Sequence, residues 1–283
     1  GIMMAALFAA LVAACATGTT RPPWENQLRG DTIALLGEVH DNAGHHRMRL
    51  DVLRRAFDAG WRPALVMEQF DREWQADIER ARRERPRDAQ HVIDLAAPAA
   101  GTRGGNWQWD FYRPFIALAL EYDVPLIAAN LSNADTSKVV REGYAAVFDA
   151  ASLKSLGLDA TTAPEWQAAQ EREIDTGHCN ALPPTMLPAM ARGQFARDAV
   201  MASILSRHAS RGAVLIAGNG HVRRDIGVPR WLRTEIRTRT LTVGYLERGD
   251  LAERDAAFDA VVRTAAAERP DPCIAFKNRS KPG

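Results

Sequence analysis

The feature that most constrains this chain is a set of short apolar runs that each end abruptly in polar residues. They are Asp31-Thr32-Ile33-Ala34-Leu35-Leu36-Gly37, Pro63-Ala64-Leu65-Val66-Met67, Val124-Pro125-Leu126-Ile127-Ala128-Ala129 and Gly212-Ala213-Val214-Leu215-Ile216-Ala217. Runs that are apolar at every position, rather than at every second one, describe strands covered on both faces. Residues 239–246 read as a fifth strand and 257–263 as an edge strand. Helical spacing fills the gaps. Met48, Leu50, Val52, Leu53, Ala56 and Phe57 recur at helical intervals over residues 44–59. Asp71 reads as the cap of a helix that Pro86 ends, and another helix runs to about Tyr122. From Ser132 to Ala209 the pattern is helical throughout, broken at Gly157, Pro164 and Pro183-Pro184. Strands alternating with helices imply an α/β fold with a mostly parallel sheet flanked by helices. The long helical stretch implies a smaller all-helical subdomain inserted before the fourth strand, giving an α/β domain of residues 31–131 and 210–283 and a helical subdomain of residues 132–209.

The N-terminus has a different logic. Residues 1–15 carry no charge and are apolar after Gly1, too short a run for a bilayer span of about 20 residues but suited to a secretory signal. Leu11-Val12-Ala13-Ala14-Cys15 resembles a lipobox, so residues 1–14 are expected to be a signal peptide, Cys15 the acylated (palmitate-bearing) residue, and residues 15–30 a tether containing Pro22-Pro23. A lipid anchor at Cys15 would place the protein in the cell envelope. The other cysteines, Cys179 and Cys273, either pair or stay apart, and sequence does not choose. A net charge of +1 excludes nucleic acid as an expected partner. Only Lys138, Lys154, Lys277 and Lys281 are lysines, so anions would be met by arginine forks.

In parallel α/β sheets ligands gather beyond the carboxyl ends of the strands. Here those ends carry Gly37-Glu38-Val39-His40, Glu68-Gln69, Asn130 and Gly218-Asn219-Gly220-His221. Gly-x-x-His occurs twice, so Glu38, His40, Glu68, Asn130, Asn219 and His221 form a candidate rim for acid–base chemistry or a metal of unknown identity. His45 and His46 open the next helix, where a solvated pair is expected, with His46 able to support the rim. The aromatic loop Trp107-Gln108-Trp109-Asp110-Phe111-Tyr112 follows the glycine-rich segment 101–106, and at least two of its rings are expected in the core. His178-Cys179-Asn180 precedes a helix bearing Arg197 and Asp198, a pair that could anchor the helical stretch to the sheet.

Together these motifs resemble the ChaN family of haem-binding bacterial lipoproteins, within the wider group of erythromycin-esterase-like and Tiki/TraB-like proteins. The resemblance rests on Gly37-Glu38-Val39-His40 with His46, Met67-Glu68-Gln69-Phe70, Trp109 to Tyr112 with Pro114, Asn130, His178-Cys179, Gln194 with Arg197-Asp198-Ala199 and Met201-Ala202, and Gly218 to Arg223 with Gly227-Val228-Pro229. It implies a haem-binding, lipid-anchored outer-membrane protein of haem and iron uptake, a homodimer holding haem between subunits, and an outer-membrane haem receptor as possible partner. It also implies a tyrosine on the iron, for which Tyr112 is the first choice and Tyr144 the second, with His178 a candidate haem contact and Trp109, Arg197, Asp198 and Arg223 in support. The shared Gly-x-x-His and Glu features make an esterase- or metallopeptidase-like hydrolase using Glu38, His40, Glu68 and His221 the leading alternative, ahead of a lipid-anchored adaptor that docks a receptor. A binding protein is favoured over an enzyme.

Overall fold

The computed structural model describes residues 21–97, 107–271, 273 and 274. The expected signal peptide of residues 1–14, Cys15 and the glycine-rich segment 101–106 lie outside the described residues.

The apolar runs form one six-stranded sheet: β1 (Ile33–Leu36), β2 (Ala64–Asp71), β3 (Leu126–Asn130), β4 (Ala213–Ile216), β5 (Thr240–Glu247) and β6 (Ala260–Thr264), in the order β3-β2-β4-β1-β5-β6. Every pairing is parallel. The expected edge strand is β6, which joins β5 from Val243↔Ala260 onward. Ten helices accompany the strands among the described residues: α1 (Ala43–Asp58), α2 (Gln75–Glu84), α3 (Ala89–Ala96), α4 (Trp109–Glu121), α5 (Asn133–Glu142), α6 (Ala150–Leu156), α7 (Pro164–Gly177), α8 (Leu187–Arg207) and the short α9 (Asn219–Val222) and α10 (Thr234–Arg237). None is long and apolar enough to cross a membrane.

Strand residues alternate between two cores. Ala34, Leu36, Leu65, Met67, Val214 and Ile216 face one side, with Leu53 and Phe57 of α1 and Phe115 and Leu118 of α4. Ile33, Leu35, Ala64, Val66, Ala213 and Leu215 face the other, with Val139 of α5 and Ala196, Met201 and Leu205 of α8. The helical stretch thus lends its longest helix to one face of the sheet, while Ile174, Ala191 and Phe195 make a small cluster between α7 and α8. At about 1.5–3 kcal/mol for each large apolar side chain removed from water, these layers can carry the cost of burying charge at the strand ends.

Two local expectations change. Asp71 ends β2 instead of capping a helix: its carboxylate accepts from Asn130 Nδ2 at 2.7 Å and makes no cap bond to the turn that follows. Cys179 and Cys273 form a disulfide, with Cα atoms 5.4 Å apart across a sequence separation of 94, which settles the question the sequence left open. It ties the turn between α7 and α8 to the C-terminal segment, and Cys179 and Asn180 turn there in the left-handed region, at φ of 63° and 52°.

Candidate functional site

Beyond the carboxyl ends of β1, β2 and β4, two buried carboxylates each organise a cluster. Glu38 follows β1 and is 2% exposed. Its Oε1 accepts from Tyr112 OH at 2.5 Å and from His40 Nδ1 at 2.7 Å, and its Oε2 accepts from Arg49 Nη2. Because the carboxylate can only accept, His40 carries its proton on Nδ1 and keeps Nε2 as an acceptor, in a side chain 52% exposed. Desolvation pulls the His40 pKa down, with Glu68 opposing and His221 reinforcing, which keeps the imidazole neutral. Trp107 meets the His40 ring edge-on at 4.7 Å.

The first turns of α1 build the floor of this cluster. Asn42 caps the helix, accepting from the amides of Gly44 at 2.9 Å and His45 at 3.2 Å. His45 Nδ1 accepts from the Val39 amide at 3.0 Å, and His46 Nε2 donates to the His40 carbonyl at 2.9 Å, so both imidazoles brace the turn that carries His40. They are 0% and 4% exposed, so the expected solvated pair is a buried one, and desolvation lowers each pKa to about 4. His46 Nδ1 is also 3.3 Å from Glu38 Oε2, but a neutral ring protonated on Nε2 leaves Nδ1 to accept from Arg49 Nη2 at 3.0 Å. His46 stacks on Phe111 at 4.5 Å. Arg49 is fully buried, donates to the Leu36 carbonyl at 3.1 Å and lies over Phe115 at 5.2 Å. Desolvation lowers its pKa to about 10, which leaves it a cation for Glu38.

Glu68, in β2, centres the second cluster. Its Oε2 accepts from the Gly218 amide at 2.9 Å and its Oε1 lies 3.4 Å from His221 Nε2. His221 Nδ1 lies 2.6 Å from Asp198 of α8. Burial alone would lower the His221 pKa, but Glu68 and Asp198 outweigh it and raise it to about 10, so this histidine is an imidazolium between two carboxylates. Burial opposes ionisation of Glu68 as well, and there His221, His40 and the Gly218 amide win, holding the carboxyl well below its usual range. Asp198 is pushed upward, burial outweighing His221. Gly218 separates the clusters: a Cβ on it would lie 3.0 Å from His40 Cε1 and 3.9 Å from Glu68 Oε2. Among the described residues no group of three or more His, Cys, Asp or Glu is placed to hold a metal ion. What the rim can offer chemically is one neutral, half-exposed imidazole at His40 and one buried cation at His221.

The remaining expected residues go elsewhere. Asn219 does not face the rim: its amide ties α9 to the Tyr245 backbone of β5, with Nδ2 donating at 2.7 Å and Oδ1 accepting at 3.2 Å. Asn130 joins Asp71 to Arg197, whose Nη1 donates at 3.2 Å. Arg197 and Asp198 therefore anchor α8 to different strand ends rather than to each other. Arg223 binds Glu173 of α7 at 2.7 Å. Trp109 packs on Phe70 at 5.0 Å. His178 donates from Nδ1 to the Ile174 carbonyl at 2.7 Å and, with Gln170, Gln194, Asp198 and His221, lines a cleft of about 180 Å³. Tyr112 is 0% exposed, and desolvation, ahead of every other cause, drives its phenol pKa upward, so it stands as a protonated donor to Glu38. Tyr144, in the turn after α5, is half-buried; desolvation raises its pKa to about 12, opposed by the Arg192 guanidinium.

The model of a family described as haem-binding uptake, Tiki superfamily, ChaN, matches residues 24–232, the greater part of the chain. The chain belongs to that family. Among solved structures, ChaN of Campylobacter jejuni, described with cofacial haem binding, is 19% identical, with 83% of this chain and 88% of that chain covered at a TM-score of 0.64. A mutant erythromycin esterase in its open conformation is 11% identical, covering 78% and 71%, at 0.46. A Bacillus cereus protein is 13% identical, covering 80% and 68%, at 0.41. No curated protein matches the sequence.

Arg49 is the site residue that sequence reasoning missed. His45, His46, Arg49, Val52, Leu53, Ala56 and Phe57 are the buried positions of α1, an unbroken helical stripe. Arg49 fills a slot that the apolar period reserves for the interior, and that was the available signal.

Proposed function

We propose that this ChaN-family protein binds haem non-covalently as an exported, lipid-anchored component of haem and iron uptake, with haem held between two subunits and the iron taken by a tyrosine. The match of the haem-binding uptake family over residues 24–232 carries the reading. The disulfide Cys179–Cys273 supports export, because such bonds persist in oxidising compartments.

Ferric haem asks for an anionic or basic axial atom, an apolar face and cations for its propionates. The helical stretch can provide these: Tyr144 with Arg192 beside it, the exposed Met186, and His178 at the end of α7. When bound, haem would supply a redox-active iron whose state its axial ligand sets. Tyr112 would first have to leave Glu38 and the core. The order expected from sequence therefore reverses, with Tyr144 ahead of Tyr112 as the ligand. Titration of the purified protein with ferric haem should shift the Soret band, and Tyr144→Phe should weaken that shift at least tenfold while Tyr112→Phe retains it. Absence of a shift in the wild type removes the function, and an unchanged titration of Tyr144→Phe removes only the ligand.

A further inference from the structure

The opposite edge of the sheet, away from the Glu38–His40 rim, holds a second structure. A cleft of about 640 Å³ opens where strands begin, walled by Gly30 and Asp31 before β1, Trp61 and Arg62 before β2, and Ser210 and Arg211 before β4. Five arginines line it, Arg21, Arg29, Arg55, Arg62 and Arg211, against two acids, Glu25 and Asp31. The acids are already engaged, Glu25 with Arg55 at 2.8 Å and Asp31 with Arg239 at 2.5 Å. Arg21, Arg29, Arg62 and Arg211 are exposed and have no carboxylate partner among the described residues. The positive field is felt nearby: after burial, Arg207 and Arg211 are what lower the pKa of His208 at the end of α8.

We propose that this arginine cleft is the face on which the protein rests on a bilayer, its guanidinium groups holding the phosphates of anionic lipid headgroups. The inference rests on the reading that Cys15 is acylated. Six residue steps lead from Cys15 to Arg21, a reach of at most about 20 Å fully extended, so an anchor at Cys15 holds this end of the sheet against the membrane. Guanidinium forks match phosphate oxygens in pairs, which suits a face built from arginine rather than lysine. The orientation sends the Glu38–His40 rim, at the other ends of the same strands, away from the lipid.

The test is vesicle flotation of the chain carrying Cys15→Ser, so that no lipid is attached. Vesicles of phosphatidylcholine with phosphatidylglycerol should retain it and pure phosphatidylcholine vesicles should not. Combining Arg29→Gln, Arg62→Gln and Arg211→Gln should weaken retention more than tenfold, at roughly fivefold for each arginine. The same charge loss elsewhere, at Arg47, Arg141 and Arg224, should weaken it less than twofold. Equal retention of the two triple variants, equal retention on both vesicle types, or loss of retention in millimolar inorganic phosphate at constant ionic strength would overturn the docking face; the last result would make the cleft a site for free phosphate. Mass spectrometry of the membrane-extracted wild type tests the anchor separately. Acylated Cys15 without vesicle retention overturns only the docking face, whereas retention with unmodified Cys15 upholds the docking face and removes the anchor.

Discussion

At the scale of single residues, Glu38 decides how this site is built. A buried carboxylate is tolerable only with charge and hydrogen bonds around it, and Arg49, Tyr112 and His40 supply them from two helices and the rim turn. Arg49→Met leaves that charge unpaired and should cost about 3–5 kcal/mol in urea unfolding, with part regained when Glu38→Gln is added. A loss below about 1 kcal/mol would show that the pair is not what holds the rim turn. His46 gives a pH signature. Its folded pKa of about 4 lies below the ordinary imidazole value of 6.5, so the unfolded chain takes up a proton that the folded one refuses. The penalty is absent above about 6.5 and grows as pH falls toward 4, so that about 2 kcal/mol of stability has been lost at pH 5. The loss of stability from pH 7 to 5 should accordingly be shallower by about that amount in His46→Gln than in wild type; parallel profiles would contradict a buried neutral His46. These roles were only half legible in the sequence. Glu38 and His40 stand at a strand end, where position alone raises suspicion, whereas Arg49 reads as one more charge on an arginine-rich helix until its place in the apolar stripe is counted.

Among elements, the two Gly-x-x-His turns are joined through close backbone approach. Gly37 leaves no room for a side chain, since a Cβ there would collide with the Asn219 amide. That amide in turn binds α9 to β5 through Tyr245. Gly37→Ala should displace Asn219, cost about 1–3 kcal/mol in thermal unfolding, and disturb His221 in the same helix. Unchanged stability would mean that α9 is held by other contacts. The four apolar runs placed β1 to β4 within a few residues of their observed positions, because a segment buried on both faces has to be apolar throughout. What sequence could not show was that β2 continues through Glu68 and Gln69 to Asp71. A strand that carries its own buried carboxylate looks, residue by residue, like a strand that has ended. The fate of Asp71 depended likewise on Asn130, remote in sequence and adjacent only once β3 pairs with β2.

For the whole molecule, one parallel sheet separates two kinds of chemistry. Its carboxyl edge gathers Glu38, His40, Glu68 and His221, while its amino edge gathers exposed arginines. The fold class, the family resemblance and the rim follow from the sequence because they sit in contiguous motifs. The ranking of the tyrosines does not, since motif position favours Tyr112 until burial separates Tyr112 and Tyr245, both 0% exposed, from the half-buried Tyr144. Haem binding is the central claim, and native mass spectrometry of the protein mixed with ferric haem tests it most directly. The account predicts a dimeric species carrying two haems that survives gentle desolvation, and a spectrum containing only haem-free protein at every haem excess would contradict it.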